Sequence, residues 1–113
     1  DLTNAVEAAI LALQAGKRQW SLSHIVRHYT DSGDHGGAII TWLHEMGHQV
    51  QFQAMRMEIP TPGLNESITT YSMQDTMEWH AEHFAAWALN RAMLETHYPA
   101  IVAYFDELMG ELL

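Results

Sequence analysis

Apolar residues recur at helical spacing over two long stretches, with a break at Pro60, Pro62 and Gly63 between them. This pattern constrains the fold most, because two paired helices of that length use up much of a 113-residue chain. The first stretch, about Ala38 to Met57, puts Ile39, Ile40, Leu43, Met46 and Val50 on one stripe. The second runs from about Met73 to Leu94, with Met77, Ala81, Phe84, Ala88 and Leu89 as its buried face. Ser72, with Asp75 three residues later, resembles a capping box at its start.

Shorter elements flank this pair. Thr3 to Gly16 predicts a helix with Val6, Ala9, Ile10 and Leu13 inward and a glycine to stop it. Pro99 suits the first turn of a last helix, Pro99 to Leu112. Trp20 to Tyr29 mixes β-branched and aromatic residues in loose alternation and predicts a strand or short hairpin. Asp31 to Gly37 (DSGDHGG) predicts a loop, as does the segment from Pro60 to about Thr70. The expected class is mostly α, of the α+β kind, in a single domain over residues 1–113. The chain starts at Asp1 with no methionine or signal-like segment, which is expected of a piece of a longer protein.

Composition removes several functions. Net charge is −9 with five basic residues, so no Lys/Arg cluster exists to hold a phosphate backbone, and no nucleic-acid partner is expected. No apolar run approaches the roughly 20 residues a membrane span needs. There are no cysteines, which excludes thiolate metal sites and disulfides. Eight histidines is a high count for this length and directs attention to imidazole chemistry.

Three of the informative residues lie in LHEMGHQVQF, residues 43 to 52. His44 and His48 are four apart, so on a helix both imidazoles face the same side one turn apart. Glu45 sits about 100° round from His44, within reach of a water on an ion the histidines hold. Zinc lowers the pKa of such a water toward about 7, and a glutamate beside it can take the proton. The same residues also suit a polar helix face with no metal. A catalytic zinc needs a third protein ligand, and the candidates cluster in EWHAEHFAAW, residues 78 to 87. Glu78 and Glu82 are four apart and share a face. One of the pair can bind metal while the other accepts the N–H of a ligand histidine. His80 and His83 point elsewhere, either toward a second metal, in place of a glutamate ligand, or into local hydrogen bonds.

HEMGH followed by EWHAEHFA resembles the gluzincin clan of zinc metallopeptidases, nearest in pattern to the single-domain gluzincins and lethal-factor-type peptidase domains. Tyr71, Glu78, Ala81, Glu82 and Phe84 match a pattern like Y-x6-E-x-x-A-E-x-F. The likeness covers about Ile39 to Asn90 and is also similar to repressor-cleaving regulatory peptidases of the ImmA type. The resemblance implies a zincin-like fold, with the active-site helix and the glutamate helix packed around Zn²⁺. A backing helix, a C-terminal helix and a small reduced β-sheet would complete it. It implies His44, His48 and Glu78 as metal ligands and Glu45 as general base. It implies Glu82 as the partner of a ligand histidine, with His44 the first choice, and Tyr71 as a phenol that stabilises the oxyanion. It implies an edge strand that binds a peptide or protein substrate by β-augmentation, and Trp20 to Tyr29 is the segment on offer.

The function expected is therefore a zinc-dependent endopeptidase. One rival is a non-catalytic, zinc-stabilised structural or interaction domain, for instance of a phage particle or toxin. Another is a His-rich metal buffer, which requires more than one metal per chain. The remaining residues have plainer readings. His24 and His28 read as surface histidines and His35 as a loop residue. The seven methionines read as adaptable core or interface filler. Trp42, Trp79 and Trp87 are too many for a small core to bury, so at least one should line a pocket or partner surface. Gly47 inside a helix costs about 1 kcal/mol against alanine, and close approach of another backbone would explain it.

Overall fold

The computed structural model describes residues 2–17, 20–60 and 66–113. Pro62 and Gly63, expected to help end the first long helix, lie outside the described residues. The described residues form five α-helices: α1 Asn4–Gln14, α2 Leu22–Tyr29, α3 Gly33–Gln53, α4 Thr76–His97 and α5 Pro99–Leu112. A 3-10 turn, Tyr71–Met73, leads into α4. Helix α4 is the centre: α1, α3 and α5 all pack on it, and α2 bridges α1 and α3. No described helix is long and apolar enough to cross a membrane.

The expected small β-sheet is absent, and among the described residues there is no strand. Trp20 to Tyr29, predicted as strand, is mostly α2. Leu22, Ile25 and Val26 are fully buried, a helical i, i+3, i+4 stripe that the β-branched composition masked. Ser21 caps the helix by accepting the His24 N–H at 3.2 Å. The expected Asp31–Gly37 loop is also largely helical, since α3 begins at Gly33. His35 is thus an exposed residue on its first turn. Gly36 makes that early start possible, because a Cβ there would lie 2.8 Å from Leu2 Cδ2 and 3.0 Å from Val26 Cγ1.

Two helices end on the same device. After α1, the Lys17 N–H bonds to Ala12 O and the Gly16 N–H to Leu13 O; after α3, the Arg56 N–H bonds to Gln51 O and the Met55 N–H to Phe52 O. Both are Schellman ends, which need a left-handed residue at the turn. Gly16 takes it at φ +74°, whereas Met55 takes it at φ +57°. A side chain in that conformation costs about 1–2 kcal/mol, so α3 stops at Gln53 under strain instead of running to Met57.

At its other end, the cap of α4 is Asp75 and not Ser72. The Asp75 carboxylate accepts the Glu78 N–H at 2.9 Å, which fixes Glu78 in the first turn. Asn90 breaks the helical dihedrals (φ −155°, ψ 74°) and re-caps the rest of α4 by accepting the Met93 N–H at 3.2 Å. Its amide also donates to Thr3 O at 3.1 Å, tying the kink to the start of α1.

From Trp79 to Ala86 every residue of α4 is buried. A helix buried all round belongs at the middle of a fold. Trp79 is fully buried, stacks on Phe105 with ring centroids 6.0 Å apart, and donates its indole N–H to Glu66 O at 3.0 Å. Trp42 is the tryptophan left outside, at 61% exposure, together with Trp20. Of the expected α4 face, Met77 and Ala88 prove exposed, while Ala81 and Phe84 are buried.

Gly47 is where α3 crosses α4. A Cβ there would stand 2.7 Å from Ala81 Cα and 3.1 Å from Ala81 O. The obstacle is backbone, which cannot swing aside. Gly47→Ala should therefore destabilise the fold by about 1–3 kcal/mol despite alanine's better helix propensity. Urea unfolding of the variant measures this, and a stabilised variant would refute the close crossing.

Candidate metal centre

The α3–α4 crossing at Gly47 puts His44 and His48, on either side of it, opposite the first turns of α4. His44 is buried, and its Nε2 lies 2.9 Å from Glu78 Oε1. His48 Nε2 lies 3.2 Å from the same oxygen. The two imidazoles meet edge to face, with ring centroids 4.8 Å apart. One ligand atom from each of His44, His48 and Glu78 falls within 4.8 Å of the others. Three of the expected site residues are thereby brought together, from two helices.

Glu82 organises this arrangement. It is 1% exposed, and both of its oxygens are engaged. Oε2 faces His44 Nδ1 at 2.9 Å; Oε1 accepts the Leu22 N–H at 3.0 Å and the Thr69 hydroxyl at 2.9 Å. An ionised carboxylate only accepts, so His44 holds a proton on Nδ1; a neutral ring then presents its Nε2 lone pair to Glu78, whereas a charged ring donates to both carboxylates. Burial lowers the His44 pKa, but the bonds and charges of Glu82 and then Glu78 outweigh it, and the net shift is upward. The expected pairing of Glu82 with His44 is present. His48 differs, since its Nδ1 is buried with no such partner among the described residues.

The donor set suits a divalent cation. A neutral His44 Nε2 and Glu78 Oε1 are both acceptors, and they face each other across 2.9 Å. Such a contact is repulsive unless a proton or a cation lies between. Tetrahedral zinc places its ligand atoms about 3.3 Å apart, from bonds of about 2.0–2.1 Å. The separations of 2.9 and 3.2 Å come close to that. Two imidazoles and one carboxylate are also ligand types that zinc accepts.

Tyr71 arrives from the turn before α4, and its hydroxyl donates to Glu78 Oε2. That bond, with burial behind it, pushes the phenol pKa up to about 12. Glu45 is exposed on α3 and opens onto a pocket of about 180 Å³ shared with His44, Tyr71, Thr41 and Ser21. The histidine pair of α4, His80 and His83, plays no part here. His80 bonds to Thr76 O at 2.7 Å and to the Tyr104 hydroxyl at 2.6 Å. His83 bonds to Trp79 O at 2.7 Å and accepts the Ile68 N–H at 3.1 Å. His24 and His28 form their own pair on α2, ring centroids 4.3 Å apart.

Sequence reasoning expected a loop up to about Thr70 but missed what anchors it and so delivers Tyr71. Ile68, Thr69 and Ser72 are fully buried, and the loop hangs from α4 side chains. Glu66 O takes the Trp79 indole, the Ile68 N–H goes to His83, and the Thr69 hydroxyl goes to Glu82. Ser72 clips the turn by donating to Thr69 O at 2.7 Å. No local signal marks Thr69, because its partner is thirteen residues away. For the true cap a signal did exist: D-T-M-E at 75–78 fits the capping-box pattern as well as S-M-Q-D at 72–75.

No protein-family model, curated protein or solved structure matches the chain.

Proposed function

We propose that this domain is a zinc-dependent metallopeptidase of the gluzincin type. The observation that carries the reading is the convergence of His44 Nε2, His48 Nε2 and Glu78 Oε1, with Glu82 setting the His44 tautomer. When bound there, zinc supplies a water of lowered pKa, toward about 7, and polarises the scissile carbonyl. Glu45 stands at the pocket mouth to accept a proton and return it to the leaving amine. Tyr71, whose pKa of about 12 keeps it protonated at neutral pH, can turn its O–H from Glu78 to a developing oxyanion.

One observation favours a second reading. Without a strand among the described residues, no sheet edge can hold an extended peptide in the way the resemblance implies. A zinc-stabilised structural or interaction domain, which cleaves nothing, needs no such edge.

A paired measurement separates these readings: zinc per chain by elemental analysis, and cleavage of a mixed peptide library. One zinc in the wild type, none in a His44→Ala, His48→Ala double variant, and cleavage by the wild type alone are expected of the peptidase. One zinc without any cleavage selects the structural domain. No zinc in folded wild type after reconstitution rejects both.

A further inference from the structure

Two openings meet at Tyr71. The inner one is the pocket beside His44 and Glu45. The outer one, about 390 Å³, is lined by Trp20, Ser21, Ser23, Tyr71 and Gln74. Ser21, Ser23 and Tyr71 line both, so the two are lobes of one cleft. The lobes differ in chemistry. The inner lobe holds Glu45, Glu82 and His44, whereas the outer has an indole, two hydroxyls, a phenol and an amide, with no side chain charged at neutral pH among the described residues.

Trp20 is the outlying wall, with 49% of its surface exposed. Its backbone is not loose, since Trp20 O accepts the Tyr71 N–H at 2.6 Å and the Thr70 hydroxyl at 3.4 Å. The residue that carries the indole is therefore tied to the one that carries the phenol. An indole held beside a polar centre presents apolar area that a ligand can cover, with little side-chain freedom lost. The overall charge of −9 would suggest basic substrates, but among the described residues the outer lobe offers no carboxylate to pair a Lys or Arg. A charged side chain there would lose water and gain no counter-ion.

We propose that the outer lobe is a side-chain subsite for a neutral aromatic or large apolar residue of a peptide, with Trp20 as its specificity-determining wall. The adjacency of that residue to a scissile bond rests on the peptidase reading; the binding preference does not.

The test uses zinc-loaded protein carrying Glu45→Gln, so that bound peptide is not consumed, and calorimetric titration with acetylated, amidated Ala-Phe-Ala, Ala-Lys-Ala and Ala-Glu-Ala. The phenylalanine peptide should bind roughly tenfold tighter than the other two. Adding Trp20→Ala should erase that preference, and adding Trp20→Phe should retain most of it. Circular dichroism reports whether each variant is folded. Equal binding of the three peptides, or no measurable binding of any, overturns the proposal, as does a preference that survives Trp20→Ala. Cleavage by the Glu45 protein is scored separately. Preference without cleavage keeps the subsite and removes the enzyme; cleavage without preference does the reverse.

Discussion

Glu45→Gln should reduce peptide hydrolysis by about 10²–10⁴-fold while leaving zinc content at one per chain. That is roughly 3–5 kcal/mol of barrier from one atom exchanged for another of the same shape. Glutamine keeps the volume of the side chain but cannot accept and carry the proton. Glu45 is exposed and stands outside the trio of His44, His48 and Glu78, so neither folding nor metal affinity should respond much. Elemental analysis and peptide assays on the same preparation decide the matter. Near-wild-type hydrolysis in a zinc-loaded variant would falsify the assignment of the base. Loss of both zinc and hydrolysis would move Glu45 into the ligand set.

The parts of the fold that sequence made legible share a property: local signal and tertiary demand agree there. Helix α5 was legible because Pro99 marks its start, and Ile101, Val102, Phe105 and Leu108 form the buried stripe that holds it. The shared face of His44 and His48 was legible because i, i+4 spacing on a helix is geometry that no packing detail alters, whereas Glu78, on another helix, was singled out from its neighbours only by the family resemblance.

Elsewhere the agreement fails, for physical reasons. On α3 the inward face is Gly36, Gly37, Ile40, His44, Gly47, Val50 and Gln51, while Ile39, Trp42 and Met46 look outward. A polar centre built into the core puts glycine, histidine and glutamine where apolar residues are expected, so hydropathy found Ile40 and Val50 but set the stripe too far round, at Ile39 and Met46. Helix α4 is harder still, since Glu82 and His83 are as buried as Trp79. Their burial is tolerated because each finds partners in the 66–72 loop or on α3. Those partners are remote in sequence, and no window of residues reveals them. Helix α2 spans two turns with only three buried residues, too short for periodicity to outweigh its strand-like composition.

His83 makes the strongest prediction about stability. It is fully buried, donates from Nδ1 to Trp79 O and accepts the Ile68 N–H at Nε2, so both ring nitrogens are satisfied only in the neutral form. Burial drives its pKa from 6.5 down to about 3, with the hydrogen bond to Trp79 O opposing and the nearby His80 assisting. The unfolded chain binds this proton near pH 6.5 and the folded chain does not, so between about 6.5 and 3 the unfolded state holds more protons. The stability is fully present above pH 6.5 and is lost as pH falls toward 3, at up to about 1.4 kcal/mol per unit and roughly 5 kcal/mol in all. His80, also shifted downward by burial, adds to the same limb, while His44, shifted upward, is protonated in both states on that limb and loses its stabilisation only as pH rises above about 6.5. Urea unfolding from pH 7 to 4, in chelator to keep metal out of the balance, should show this acid limb. His83→Gln should flatten it by about one proton's slope, even though the variant is less stable at neutral pH. An identical limb in both proteins would mean that His83 is protonated in the fold, and that the loop delivering Tyr71 does not hang from a neutral imidazole.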